Sequence, residues 1–222
     1  METSVSSALR LGLFINEVIK TNPNLNWRNA LSKEQIRSKI WLINMLRESK
    51  LTHLGNVMIL GGWIGLLGYL LLHDEELNIN YIRSFDVDPE SIRAADDLNY
   101  DHLKNNWKFK SCFANWDLID YNETIYHTHR YTDNRDIDLT NRFDTIINTC
   151  CEHMSLFSDW IQKIPGDRLL ILQSNSSAEF EGHTNCKSSL KEFVNSCQLS
   201  RVLYSGELDL GLYKRWMIFG YK

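Results

Sequence analysis

From residue 51 onward, short apolar runs recur along the chain, with longer mixed stretches between them. The runs fall at Val57–Leu60, Ile82–Val87, Trp107–Phe113, Asp144–Asn148, Arg168–Gln173, Ser200–Tyr204 and Arg215–Gly220. Their length and boundaries predict seven strands. Helical spacing predicts helices over Leu66–His73, Glu90–Leu98 and Phe157–Ile164. Alternation of this kind predicts a mostly parallel sheet covered by helices on both faces. The last two runs have no helix between them, so they predict an antiparallel hairpin at one edge. The polar segment His127–Asn141 predicts a surface insertion, or a short strand pair, ahead of the fourth strand.

Residues 1–50 follow a different pattern. Ser7–Lys20 carries Leu9, Leu11, Leu13, Ile15, Val18 and Ile19 in an imperfect helical stripe, which the NPNLNW segment at Asn22–Trp27 interrupts. A second helix over Ser32–Ser49 places Ile36, Ile40, Leu42, Ile43 and Leu46 on one side, with Lys33, Glu34, Lys39 and Arg47 off it. The expected organisation is a helical cap or lid over residues 1–50 and an α/β domain over residues 51–222. The longest apolar stretch, Val57–Leu72, is shorter than a bilayer span and holds four glycines. It reads as a strand, a turn and a helix, and no membrane segment is expected.

Composition narrows the classes. The 222 residues are 43% hydrophobic and 23% charged, with only 3 prolines, which excludes disordered and linker-rich chains. A net charge of -4 argues against a protein that coats nucleic acid, because neutralising phosphates requires clustered Lys and Arg. The 5 cysteines are an odd number without a disulfide framework's spacing, so a reducing, cytoplasmic setting is expected. The first residues lack the basic start and cleavage pattern of a signal peptide.

Two motifs carry candidate chemistry. V57-M-I-L-G-G-W-I-G65 runs a buried strand into a glycine turn at the head of a helix. Such a turn lets a ligand approach the main chain, and the helix offers free N–H groups to an anion. The anion could be a pyrophosphate or the carboxylate of a methionine moiety; a tight turn with no ligand is the plainer reading. The full G-x-G-x-x-G is absent, and Trp63 at its central position should obstruct a pyrophosphate. F85-D-V-D-P-E90 ends the next strand, where an acid can accept hydrogen bonds from both hydroxyls of a ribose. Asp86 is the first candidate and Asp88 the second; Asp88 also reads as the cap of the helix starting at Pro89.

With these motifs the chain resembles the class I S-adenosylmethionine-dependent methyltransferases over residues 51–222. The resemblance implies a Rossmann-like fold, a seven-stranded and mostly parallel sheet with an antiparallel edge strand. It implies that Gly61, Gly62, Trp63 and Gly65 contact the cofactor S-adenosylmethionine and that Asp86 holds its ribose. It also implies adenine recognition at Asn115 and Trp116 after the third strand, and contact with the methyl group and substrate at N148-T-C-C-E-H-M154 after the fourth. Two departures stand out: Ile59 and Leu60 replace the family's acid before the first glycine, and Trp63 replaces its second glycine. The blocks N148–M154, L172-Q-S-N175, Y204-S-G-E-L208 and Y213–G220 also look like methyltransferase-like proteins of tailed phages.

After the fourth strand, Asn148 could orient a substrate amine or the cofactor, or simply tie down a loop. Glu152 and His153 are candidate acid–base groups, or residues on the first turn of a helix with His153 solvated. Cys150 and Cys151 read as small buried residues rather than a nucleophile and a ligand. His183 and Cys186 with Cys150 lack a second pair at ligand spacing, so no metal is expected; His127 and His129 are treated alike. Tyr204, Tyr213 and Trp216 read as core aromatics, although one could face a sulfonium. The expected function is methyl transfer to a small-molecule acceptor, with nucleic acid not expected as partner. The alternatives are a different C–S cleavage of the same cofactor (closure to azetidine-2-carboxylate or aminocarboxypropyl transfer) and a non-catalytic binding module.

Overall fold

A computed structural model describes residues 12, 14–130 and 133–222. The expectations placed on Ser7–Leu11 and Leu13, and on Tyr131 and Thr132, lie outside the described residues. Residues 14–21 are helical (α1). One helical turn, Trp27–Ala30 (α2), and the longer Lys33–Glu48 (α3) follow. The Ser32 hydroxyl starts α3 by accepting from the Gln35 N–H at 3.3 Å.

The buried face of α3 is rotated from the expected stripe. Leu42, Ile43 and Leu46 are buried, but Ile40 is 44% exposed and Ser38 takes an inner position. Ser38 is inside because its hydroxyl donates to Gln173 Oε1 at 2.8 Å, giving a buried amide the partner it needs. The rotation brings Lys39 beside the covered face rather than off it.

The strands are β1 (His53–Leu60), β2 (Asn78–Asp86), β3 (Phe109–Phe113), β4 (Thr124–Arg130), β5 (Arg135–Asn141), β6 (Thr145–Asn148), β7 (Leu169–Asn175), β8 (Arg201–Asp209) and β9 (Lys214–Tyr221). Seven of them form one sheet in the order β3-β2-β1-β6-β7-β9-β8, and β4 pairs with β5 apart from it. All pairings in the large sheet are parallel except those of β9 with β7 and β8. The expected sheet, edge hairpin and strand pair are therefore present. The helices α4 (Leu66–Leu72), α5 (Pro89–Leu98), α6 (Tyr100–Lys104), α7 (Phe157–Lys163) and α8 (Leu190–Cys197) connect or cover them.

Alternate strand residues serve opposite faces, as the pleat requires. Met58 and Leu60 join Phe85, Trp160 and Phe193 on one side. Val57 and Ile59 join Leu42, Leu46, Leu67 and Phe109 on the other. On that second side α4 lies very close to the sheet: a β-carbon on Gly68 would sit 2.5 Å from Phe109 Cε2. Phe109 is fully buried and has nowhere to go. Gly68→Ala should therefore destabilise the protein by about 1–3 kcal/mol, the usual cost of overpacking, despite the ~1 kcal/mol gained in helix propensity. Urea denaturation reads this as a lower midpoint at unchanged slope; an unchanged or higher midpoint would contradict the close approach.

Candidate active site

The glycine turn follows β1 directly. Gly65 caps α4 with φ 74°, a left-handed backbone that strains any side chain. Gly61 also has a positive φ, and an added β-carbon there would collide with Cys150 Sγ. The backbone of the turn thus touches the segment that follows β6. Trp63 adopts φ 47° without being glycine, a strain on the order of 1 kcal/mol. Its N–H donates to Asp86 Oδ2 at 2.8 Å, and the Gly62 N–H donates to the Phe85 carbonyl at 3.2 Å. Asp86 Oδ1 accepts from the N–H groups of Val87 and Asp88 at 2.8 and 3.1 Å. Asp86 therefore pins the end of β2 to the turn after β1.

Asp88 caps α5. It accepts from the N–H groups of Glu90 and Ser91, both at 3.1 Å, and from the Ser91 hydroxyl at 2.6 Å. The Ser91 hydroxyl is the main cause holding its carboxyl below the usual range. Asn115 is exposed after β3, with Oδ1 accepting from the Asp117 N–H at 3.1 Å. Trp116 is half-buried, and its carbonyl accepts from the Tyr121 hydroxyl at 2.7 Å.

A cavity of about 540 Å³ opens between the glycine turn and the segment after β6. This is the point where the strand order reverses, with β2 and β3 to one side of β1 and β6 and β7 to the other. Open α/β sheets bind ligands in the crevice at such a point. Gly61, Gly62 and Trp63 form one wall; Thr149, Cys150, Glu152 and His153 form another. Gln35 and Lys39 reach it from α3, Asn175 and Arg215 from the far strands β7 and β9, and Tyr213 from the turn just before β9. Gly65, Asp86, Asp88, Asn115, Trp116 and Asn148 do not line it.

Asn148 is buried at the end of β6, with Nδ2 donating to Met154 Sδ at 2.9 Å and Oδ1 accepting from the Cys150 N–H at 3.0 Å. It shapes the turn that carries the next residues, Cys151–His153, as a 3-10 helix. Burial pushes the Cys150 thiol up to about 12 and the Cys151 thiol well above its ordinary value, so neither offers a thiolate near neutrality. Glu152 is buried and His153 exposed. Glu152 Oε1 accepts from Asn175 Nδ2 at 2.8 Å and lies 3.5 Å from the Arg215 guanidinium.

Lys39 and Arg215 are the residues that sequence reasoning missed. Lys39 Nζ donates to Gln35 Oε1 at 2.7 Å. Burial first, and the Arg215 charge second, lower its ammonium to about 7. Arg215 is buried, donates through Nε to Gln173 Oε1 at 3.1 Å, and bonds the Thr149 carbonyl. A signal existed for Lys39: four-residue helical spacing sets it between Gln35 and Ile43. Among the three aromatics assigned to the core, Trp216 is buried and Tyr204 stacks on Phe219 at 4.8 Å, whereas Tyr213 lines the cavity.

No protein-family model matches the chain, and no curated protein matches it. Solved structures do. The [4+2]-cyclase SpnF is similar with a TM-score of 0.59 at 10% identity, over 85% of this chain and 82% of that one. Magnesium protoporphyrin IX methyltransferase (ChlM) from Synechocystis PCC 6803, with bound SAM, gives 0.57 at 12% over 90% and 85%. The N-methyltransferase NodS from Bradyrhizobium japonicum WM9 gives 0.55 at 13% over 87% and 99%. Of a longer match, EvdMO1, the chain spans 40%. At these identities the likeness is one of fold: the chain has the Rossmann-like methyltransferase fold.

Proposed function

We propose that the protein is an S-adenosylmethionine-dependent transferase that methylates a small-molecule acceptor. The observation that carries this reading is the cavity at the reversal of strand order, walled by a glycine turn that Asp86 pins from the neighbouring strand. The residues fit the cofactor. The cavity, about 540 Å³, falls among small-ligand pockets of roughly 300–1,000 Å³. Asp86 is half-buried, and its two chain neighbours in space, Val87 and Phe113, are apolar yet 55% and 59% exposed. A nucleoside laid there would cover both. ChlM, solved with the cofactor bound, and NodS, an N-methyltransferase, share the fold and support the cofactor and reaction class.

In this reading the main chain of Gly61, Gly62, Trp63 and Gly65 meets the methionine end, and Asp86 accepts from the ribose hydroxyls. Asn115 and Trp116 face the adenine, while Asp88 serves by capping α5. Bound S-adenosylmethionine supplies an electrophilic methyl carbon. The chain must place the acceptor behind that carbon and keep water out. Lys39 offers a cation to the methionine carboxylate. Glu152 and His153 are the groups at the wall able to take an acceptor's proton, on a turn that Asn148 holds.

Calorimetry with S-adenosylmethionine and S-adenosylhomocysteine tests the cofactor. Binding is expected in the micromolar range, and none at millimolar ligand would remove the reading. Incubation with cofactor and a small-metabolite extract should release S-adenosylhomocysteine. Methylthioadenosine in its place would assign a different C–S cleavage.

A further inference from the structure

Three side chains at the cavity wall, Glu152, His153 and His183, carry donor atoms that the fold gathers in one place. Glu152 is 3% exposed, and its Oε2 is buried without a hydrogen-bond partner. A buried carboxylate oxygen left bare is costly to the fold unless something binds it. His153 Nδ1 lies 3.0 Å from the Gly182 carbonyl, and His183 Nδ1 lies 2.7 Å from the Ser177 carbonyl. A carbonyl only accepts, so in both rings Nδ1 carries the hydrogen and Nε2 keeps its lone pair. Metal-binding histidines are oriented in this way, with the other ring nitrogen donating to a carbonyl. One donor atom from each of Glu152, His153 and His183 lies within 4.8 Å of the others. Ligands held ~2.1 Å from a tetrahedral ion of the zinc class stand ~3.4 Å apart, so the three side chains must close in on the ion.

The backbone holds the three together before any ion arrives. The Glu152 carbonyl accepts from the N–H groups of Thr184 and Asn185 at 2.9 and 2.8 Å, and Asn185 Nδ2 donates to the Cys151 carbonyl at 3.0 Å. The cations nearby are Arg215 and Lys39. Arg215 approaches Glu152 through Oε1, the oxygen already engaged, and leaves Oε2 clear.

We propose that Glu152, His153 and His183 bind a divalent transition-metal ion of the zinc class, with Glu152 and His153 then serving as ligands in place of the proton-accepting role given to them above. Two imidazoles and one carboxylate leave coordination positions open, the pattern of a reactive rather than a structural site. Resting on the transferase reading above, the open positions take an oxygen donor of the acceptor, which makes the acceptor a hydroxyl- or carboxylate-bearing small molecule.

The test uses the whole chain without cofactor, stripped with chelator and titrated with Zn²⁺ by calorimetry and with Co²⁺ by visible absorption. One ion per chain is expected. His153→Ala, at an exposed position, and His183→Gln should each weaken binding at least tenfold, at unchanged circular dichroism. His127→Ala with His129→Ala, on the outer strand pair, should leave binding unaltered. Absence of binding at millimolar metal, or loss in the His127/His129 variant in place of the other two, overturns the site. Acetohydroxamate, an oxygen donor, should shift the Co²⁺ spectrum; no shift removes the acceptor assignment alone. None of these readouts depends on S-adenosylmethionine, so failure here and failure of the cofactor titration are separate results.

Discussion

Affinity for S-adenosylhomocysteine should fall by up to about tenfold per pH unit above pH 7, and Lys39→Met should remove most of that slope. Burial and the Arg215 charge lower the Lys39 ammonium to about 7 in the free protein. A ligand carboxylate beside it restores the charged form, because an opposite charge at close range favours ionisation. Binding above pH 7 must therefore take up a proton, and affinity falls as protons become scarce. The ligand's own ammonium also titrates, near pH ~8, but does so alike with both proteins. The difference between the two pH curves belongs to Lys39. Parallel curves would sink the assignment.

The same substitution should stabilise the fold. The folded state holds Lys39 at about 7, below the ordinary value of 10.5 that the unfolded chain keeps. Between those values the unfolded state binds the extra proton, so stability rises with pH across that window. The penalty is complete below pH 7 and vanishes toward pH 10.5. Discounted for partial access to water, it is on the order of 2 kcal/mol. Lys39→Met should gain about that much at pH 6.5 and nearly nothing at pH 10, by calorimetric Tm.

The sheet was legible because its apolar runs are separated by clear helical stretches. Val57–Leu60 and Ile82–Val87 carry few polar interruptions, and β1 and β2 extend them only toward their starts. α8 was not foreseen, although Leu190, Phe193, Val194 and Cys197 recur in it at helical spacing and form its inward face. The site was half legible. The glycine turn and Asp86 are neighbours in a local pattern, whereas Lys39, His183 and Arg215 reach the cavity from three distant stretches of chain. Lys39 and Arg215 read in sequence as solvated residues, and His183 lacks a second ligand pair at the spacing its own stretch of chain offers. Only the tertiary arrangement sets Arg215 within the sheet, where Gln173 and the Thr149 carbonyl satisfy it.

Asp86→Ala should cost at least about a hundredfold in affinity for S-adenosylhomocysteine. Two hydrogen bonds from ribose hydroxyls to a carboxylate contribute ~1.5 kcal/mol or more each, and every 1.4 kcal/mol is about tenfold. The same carboxylate accepts from the N–H groups of Trp63, Val87 and Asp88. Its removal also frees Trp63 to leave its left-handed backbone, so part of the loss comes through the turn. An analogue lacking both ribose hydroxyls separates the two contributions. The parent should bind the natural ligand far better than the analogue, because Asp86 has hydroxyls to accept from only in the first. Asp86→Ala should bind the two almost equally, at an affinity below the parent's for either. Asp86→Asn keeps one acceptor oxygen and should fall between them. If Asp86→Ala still prefers the hydroxylated ligand as strongly as the parent does, Asp86 only braces the turn, and the ribose is held elsewhere.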